Sequence, residues 1–78
     1  MKLYVSEIKD NFYELYFKDT EELIQPVFEY LHDNSEKYSC SFYLMEKFYI
    51  NDVLMVGYIM EGEKDNILLL TKEIPLEF

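Results

Sequence analysis

The chain has 78 residues, half of them hydrophobic, and its aromatic content is eight Tyr and six Phe. Sixteen acidic residues against seven basic ones, all lysine, give a formal net charge of −9 at pH 7. Nucleic acid and anionic membranes repel such an arginine-free chain, so neither is an expected ligand, and a basic protein surface becomes the expected partner.

This length makes one domain, residues 1–78, with a small core. Aromatic side chains bury much area each and help a short chain. Cys40 is the lone cysteine, so neither an internal disulfide nor a thiolate metal cage is expected. A small domain without such staples suits the reducing cytoplasm of a cell. Met1-Lys2 leads into a polar-interrupted segment without the pattern of a signal peptide. No stretch is long enough to span a bilayer.

Residues 2–8 predict a first strand, with Leu3, Tyr4, Val5 and Ile8 as its apolar content, and Lys9-Asp10-Asn11 predicts a turn. Residues 12–17 alternate, with Tyr13, Leu15 and Phe17 against Phe12, Glu14 and Tyr16. They predict a second strand that closes an opening hairpin. A helix is expected over residues 20–32. Asp19 is its N-cap and Glu22 the capping-box partner, with Glu21 and Glu22 favoured by the dipole in the first turn. Leu23, Ile24, Val27, Phe28 and Leu31 form one apolar stripe. Pro26 removes the hydrogen bond to the Glu22 carbonyl. Because the stripe runs through it, one kinked helix is expected, ended by Asn34 in a left-handed conformation.

Residues 38–44 alternate again, with Tyr38, Cys40, Phe42 and Leu44 as the buried side. Phe48-Tyr49-Ile50 either continues that strand past Glu46-Lys47 or starts another. Asn51-Asp52 is a two-residue turn into the longest apolar run, Val53-Leu54-Met55-Val56-Gly57-Tyr58-Ile59-Met60. That run is apolar on both faces, so it should be central in its sheet. Gly57 inside it predicts a close approach, with room for an aromatic side chain. The acidic turn at residues 61–65 leads to a last strand, residues 66–71, and a tail over 72–78 in which Pro75 limits pairing. The expected fold class is α+β: a single small domain with an antiparallel sheet and one helix, ββαβββ. One helix covers one face. The other needs the opening hairpin, the tail, a partner or a second copy of the chain.

Catalytic chemistry is sparse. His32 and Cys40 are the only candidates for a nucleophile and base. Cys40 falls on the core face, where cysteine is inert packing, so no enzyme is expected. No calcium loop or phosphate-binding glycine loop is present, the glycines being Gly57 and Gly62, and no cofactor is expected. The acids remain. Glu7, Asp10, Glu14, Glu21, Glu22 and Glu29 are the candidate partner-binding set, with Glu61, Glu63 and Asp65 read as a solvated turn. Carboxylates two apart on a strand lie about 6.6 Å from each other, close to phosphate spacing along one nucleic-acid strand. The bland alternative is that the acids only keep an aromatic-rich domain soluble.

Glu14 in the second strand, followed by Thr20-Glu21-Glu22-Leu23 at the helix start, resembles the uracil-DNA glycosylase inhibitors of phages and mobile elements. In that family a glutamate on an edge strand precedes a helix that opens with acids. The Val56-Gly57-Tyr58-Ile59 strand and the acidic turn after it are also similar. The family's Glu-Ser-Ile is replaced by Glu14-Leu15-Tyr16. More broadly the chain resembles phage anti-CRISPR proteins, which are small and acidic and occupy nucleic-acid sites on their targets. Its richness in Tyr, Lys, Glu, Asn and Ile suits an AT-rich bacterial or phage genome. These resemblances imply a phage-type inhibitor acting by charge mimicry in the bacterial cytoplasm on a defence or repair enzyme. The alternatives are a glycosylase inhibitor, or an immunity protein or antitoxin against a basic nuclease.

Overall fold

The computed structural model describes residues 3–19 and 21–74, with the side chains of residues 21–23 outside that description. Six elements follow in order: β1 (Leu3–Lys9), β2 (Phe12–Lys18), α1 (Glu21–Asn34), β3 (Ser41–Ile50), β4 (Val53–Glu61) and α2 (Lys64–Lys72). The four strands form one antiparallel sheet in the order β1-β2-β4-β3. The domain is therefore α+β as expected, but ββαββα rather than ββαβββ.

The opening hairpin forms as its alternation dictates, turning at Asn11 with a φ of 64°, a left-handed conformation that asparagine tolerates. On β2, Tyr13, Leu15 and Phe17 are buried. The apolar run becomes β4, between β2 and β3, so it is central in the sheet. Asn51 and Asp52 both take positive φ, 49° and 66°, the geometry of a tight hairpin turn whose twist matches the strands. Gly57 is overlain by an aromatic ring: a Cβ there would lie 3.0 Å from the Phe48 ring.

Helix α1 is continuous through Pro26 and runs two residues further than expected, to Asn34. Asn34 does not take a left-handed conformation. It stays helical, and its side-chain amide donates to the Tyr30 carbonyl at 2.9 Å. The positive φ falls instead at Ser39, 50°, where the chain turns into β3. The expected helix start at Thr20 and the Glu22 side chain of the capping box lie outside the described residues. So do Pro75 and the end of the tail.

The segment expected as a last strand is helix α2. The run Ile67-Leu68-Leu69-Leu70 has no period of its own, and such runs suit a buried strand or a helix equally. Ile67, Leu70 and Thr71 are buried, at helical spacing, and Leu68 and Leu69 are exposed. Leucine favours helix. Asp65 in the first turn and Lys72 in the last complement the helix dipole. Ile74, in the expected tail, is buried in the core.

One core joins Leu15, Phe17, Val56, Tyr58 and Met60 of the sheet to Val27 and Leu31 of α1 and Ile67 and Leu70 of α2. Both helices thus cover the same sheet face. The opening hairpin lies in the sheet and does not fold over it. No helix among the described residues is long and apolar enough to cross a membrane.

The expected half-buried strand over residues 38–44 begins later, at Ser41, and continues unbroken through Glu46-Lys47 to Ile50. Tyr38 and Cys40 are buried, but in the connection before β3. The register slips between Phe42, opposite Met60, and Met45, opposite Tyr58. Two β3 residues there face one of β4, a bulge. It shifts the alternation, so that Leu44 is 49 % exposed instead of buried.

Candidate partner-binding surface

The six candidate acids fall in different places. Glu7 lies on β1 opposite Tyr13, and Asp10 lies in the turn after it. That turn is tied to the β4–α2 connection: the Gly62 amide donates to the Asn11 carbonyl at 2.9 Å, and Phe12 pairs with Glu61. Asp65 opens α2 beside them. The Tyr13 hydroxyl records the convergence. Its pKa is raised first by burial and then by the charges of Glu7, Asp10 and Asp65. Glu61, Gly62 and Glu63 line a shallow cavity of about 390 Å³ with Asn11, Ser39 and Asn66. Glu7 and Asp10 thus share one end of the molecule with the turn read from sequence as merely solvated. Two lysines attend it: Lys9 lies over the Phe12 ring, 4.5 Å from its centroid, and Lys64 lines a cleft with Glu7.

Glu14 points away from the helices. It pairs with Ser6 and Ile59, and lines a cleft of about 150 Å³ with Leu44, Glu46, Phe48, Gly57, Tyr58 and Ile59. Gly57, opposite Glu46, lines it together with the Phe48 ring that overlies the glycine. Around it the open face is aromatic: Tyr4 stacks on Tyr16 at 4.8 Å, and the Phe48 ring meets Tyr16 edge-on at 5.9 Å. Glu29 lies apart on the outer surface of α1, accepting a hydrogen bond from Gln25 at 2.9 Å. The side chains of Glu21 and Glu22 are outside the described residues.

Sequence reasoning passed over two features of this surface. Glu46 sits across from Gly57, a position legible only once the bulge in β3 sets the register. The second is β3 itself. It is an edge strand of ten residues, and Tyr43, Leu44, Met45, Tyr49 and Ile50 are all exposed along it, with Tyr49 at 72 %. Phe28 of α1 is exposed as well and meets the Phe42 ring edge-on at 6.1 Å. The acidic end adjoins this strand: Ser41 pairs with Glu61, and the Tyr43 hydroxyl donates to the Glu61 carboxylate at 2.5 Å.

His32 and Cys40 do different things. The His32 ring stacks on Phe28 and meets Phe42 edge-on. Cys40 is buried, its thiol donates to the Tyr38 carbonyl at 3.2 Å, and burial raises its pKa, which disfavours the nucleophilic thiolate. Tyr30 and Tyr38 both donate to the Glu73 carboxylate. The hydrogen bond from Tyr38 is the largest cause of the lowered Glu73 pKa, and the group pins the chain after α2 to α1 and to the connection before β3. Among the described residues no group of three or more His, Cys, Asp or Glu side chains is arranged to hold a metal.

These features define a small α+β domain with a four-stranded antiparallel sheet, two helices on one face, and an acidic end beside an apolar edge strand. No family model, curated protein or solved structure matches the chain.

Proposed function

We propose that this protein is a non-enzymatic inhibitor, anti-CRISPR-like in kind, that docks by charge on a basic, nucleic-acid-binding surface of a bacterial defence or repair enzyme. One observation carries the reading: the Gly62 amide closes on the Asn11 carbonyl at 2.9 Å and Phe12 pairs with Glu61, which brings the turn holding Asp10 and the acidic turn after β4, from separate stretches of chain, to one end of a molecule of net charge −9. Glu61 and Glu63 extend that end. Like charges held close on a folded surface focus a field that steers a basic partner toward it.

Glycosylase inhibition is the weaker form of the proposal. The resembling family carries its glutamate on an edge strand, whereas Glu14 lies on β2, an inner strand.

The test begins with capture of the partner from a bacterial lysate. Binding is then measured by surface plasmon resonance at low and high salt, in competition with the partner's own nucleic acid. The association rate should fall steeply with salt, since exposed charges are screened beyond about 8 Å at physiological ionic strength. Glu7→Lys with Asp10→Lys should slow association more than Glu29→Lys with Glu36→Lys, which change the net charge equally. Simultaneous binding of protein and nucleic acid to the partner would refute charge mimicry.

A further inference from the structure

The sheet has two edges of unlike character. β1 is seven residues long, and its exposed half, Ser6, Glu7, Ile8 and Lys9, has one apolar residue against two charges, closer to the short, charged edge that proteins use to prevent strand addition. β3 is ten residues long, and its exposed residues are mostly apolar. Its outer side presents a row of backbone donors and acceptors, the template on which a further strand pairs. Exposed apolar groups flank that template on both faces: Leu44 lines the cleft beside Glu14, and Met45 lies on the helix side, opposite Tyr58.

Charge decides the occupant. Among the described residues, Lys47 is paired with the Asp19 carboxylate at 3.2 Å, which leaves Glu46 as the charge on β3 without a counter-ion. Glu46 shares the cleft over Gly57 with Glu14. In an antiparallel pair, the residue opposite Glu46 projects to the same face, so its side chain enters this cleft. A second copy would bring another acidic chain of charge −9. A basic segment brings the complement.

We propose that β3 accepts an extended, basic segment of the partner protein as a fifth strand, with an arginine or lysine opposite Glu46 reaching into the cleft between Glu14 and Glu46 over Gly57. Its neighbours in the incoming strand lie opposite Met45 and Lys47, and the one opposite Met45 is apolar and covers it on the helix side. The proposal rests on the basic-partner reading above and adds the mode of docking.

The probe is a synthetic peptide of alternating arginine and valine, as long as β3, against the same peptide methylated at every backbone nitrogen. The second keeps the charge and loses the donors that strand pairing needs. Amide hydrogen exchange is followed by NMR at low salt. The unmethylated peptide should slow exchange at alternate amides of Ser41–Ile50, and the methylated one should not. Glu46→Lys should weaken binding at least about tenfold, through like charges brought together, while Glu36→Lys, with the same change in net charge, should weaken it far less. Equal binding of both peptides, or perturbation confined to Glu7, Asp10 and Asp65, overturns the edge proposal and leaves the charge reading standing. Failure of both peptides to bind anywhere on the protein overturns both readings. Exchange at β3 that slows with protein concentration alone makes a second copy the occupant and also overturns the proposal.

Discussion

Gly57 offers a quantitative check on the open sheet face. It has no positive φ, so a side chain there is limited by space and not by backbone strain. A Cβ would lie 3.0 Å from the Phe48 ring, 3.7 Å from the Tyr16 Cβ and 3.8 Å from the Leu15 carbonyl oxygen. Carbon–carbon contacts relax near about 3.5–4.0 Å, so only the Phe48 ring is too close. That ring is half-buried on an edge strand and can move toward solvent. Replacing a strand glycine recovers about 0.5–1 kcal/mol, so Gly57→Ala should be near neutral. Gly57→Val adds two methyls to the same layer, and overpacking costs about 1–3 kcal/mol, so that after the recovered glycine term the net loss is at most about 2.5 kcal/mol. Phe48→Ala alone should cost about 1–3 kcal/mol, less than a core phenylalanine. Together the two changes should cost less than their sum by about 1–2 kcal/mol, since the valine fills the space the ring leaves. Urea denaturation of the four proteins, with equal m-values, measures this coupling. Strict additivity would refute the packing of Phe48 over Gly57.

Leu70→Ala should destabilise by about 2–5 kcal/mol, whereas Leu68→Ala and Leu69→Ala should each stay within about 0.5 kcal/mol; thermal or urea melts separate this helical pattern from a strand, in which Leu68 and Leu70 would share a face. Tyr30, through burial and then the Glu73 charge, and Tyr58, through burial, have pKa values raised to about 12. The fold holds both phenols neutral, so their contribution is complete below the ordinary value of about 10 and is lost as pH rises toward 12; Tyr30→Phe should reduce this alkaline loss in urea melts across that range. Raising salt should promote self-association in sedimentation experiments, because it screens the repulsion between copies of charge −9, while the same salt weakens binding of a basic partner.

Local pattern carried much of the fold. The alternation of Tyr13, Leu15 and Phe17 and the two-faced apolar run from Val53 to Met60 placed β2 and β4 correctly, because side-chain period and burial are properties of the segment itself. The Asn51-Asp52 turn was legible for the same reason. Helix α2 was not, because four consecutive apolar residues, Ile67 to Leu70, carry no period until the packing partner is known. The candidate surface was less legible still. Glu7 and Asp10 meet Asp65 only because the Gly62 amide closes on Asn11 across the chain. Glu46 reaches the cleft beside Glu14 only because Tyr43 and Leu44 form a bulge. Both depend on long-range register, which no local spacing encodes.

The acidity and the exposed edge explain each other. A long apolar edge strand ordinarily invites pairing between copies, and proteins prevent it with charges or bulges on the strand. β3 carries a bulge near its start and, among the described residues, one charge without a salt bridge, Glu46, little protection for ten residues. The wider protection is a net charge of −9 carried by every copy, together with the acids that adjoin the strand at Glu61. Repulsion of this kind acts on like chains and vanishes, or changes sign, against a basic one. If β3 takes the basic strand proposed above, the charge that repels further copies also selects what the edge admits. Under the docking proposed above, the sixteen acids would be neither purely solubilising nor purely mimetic: they would leave an adhesive strand open and make it discriminate by charge.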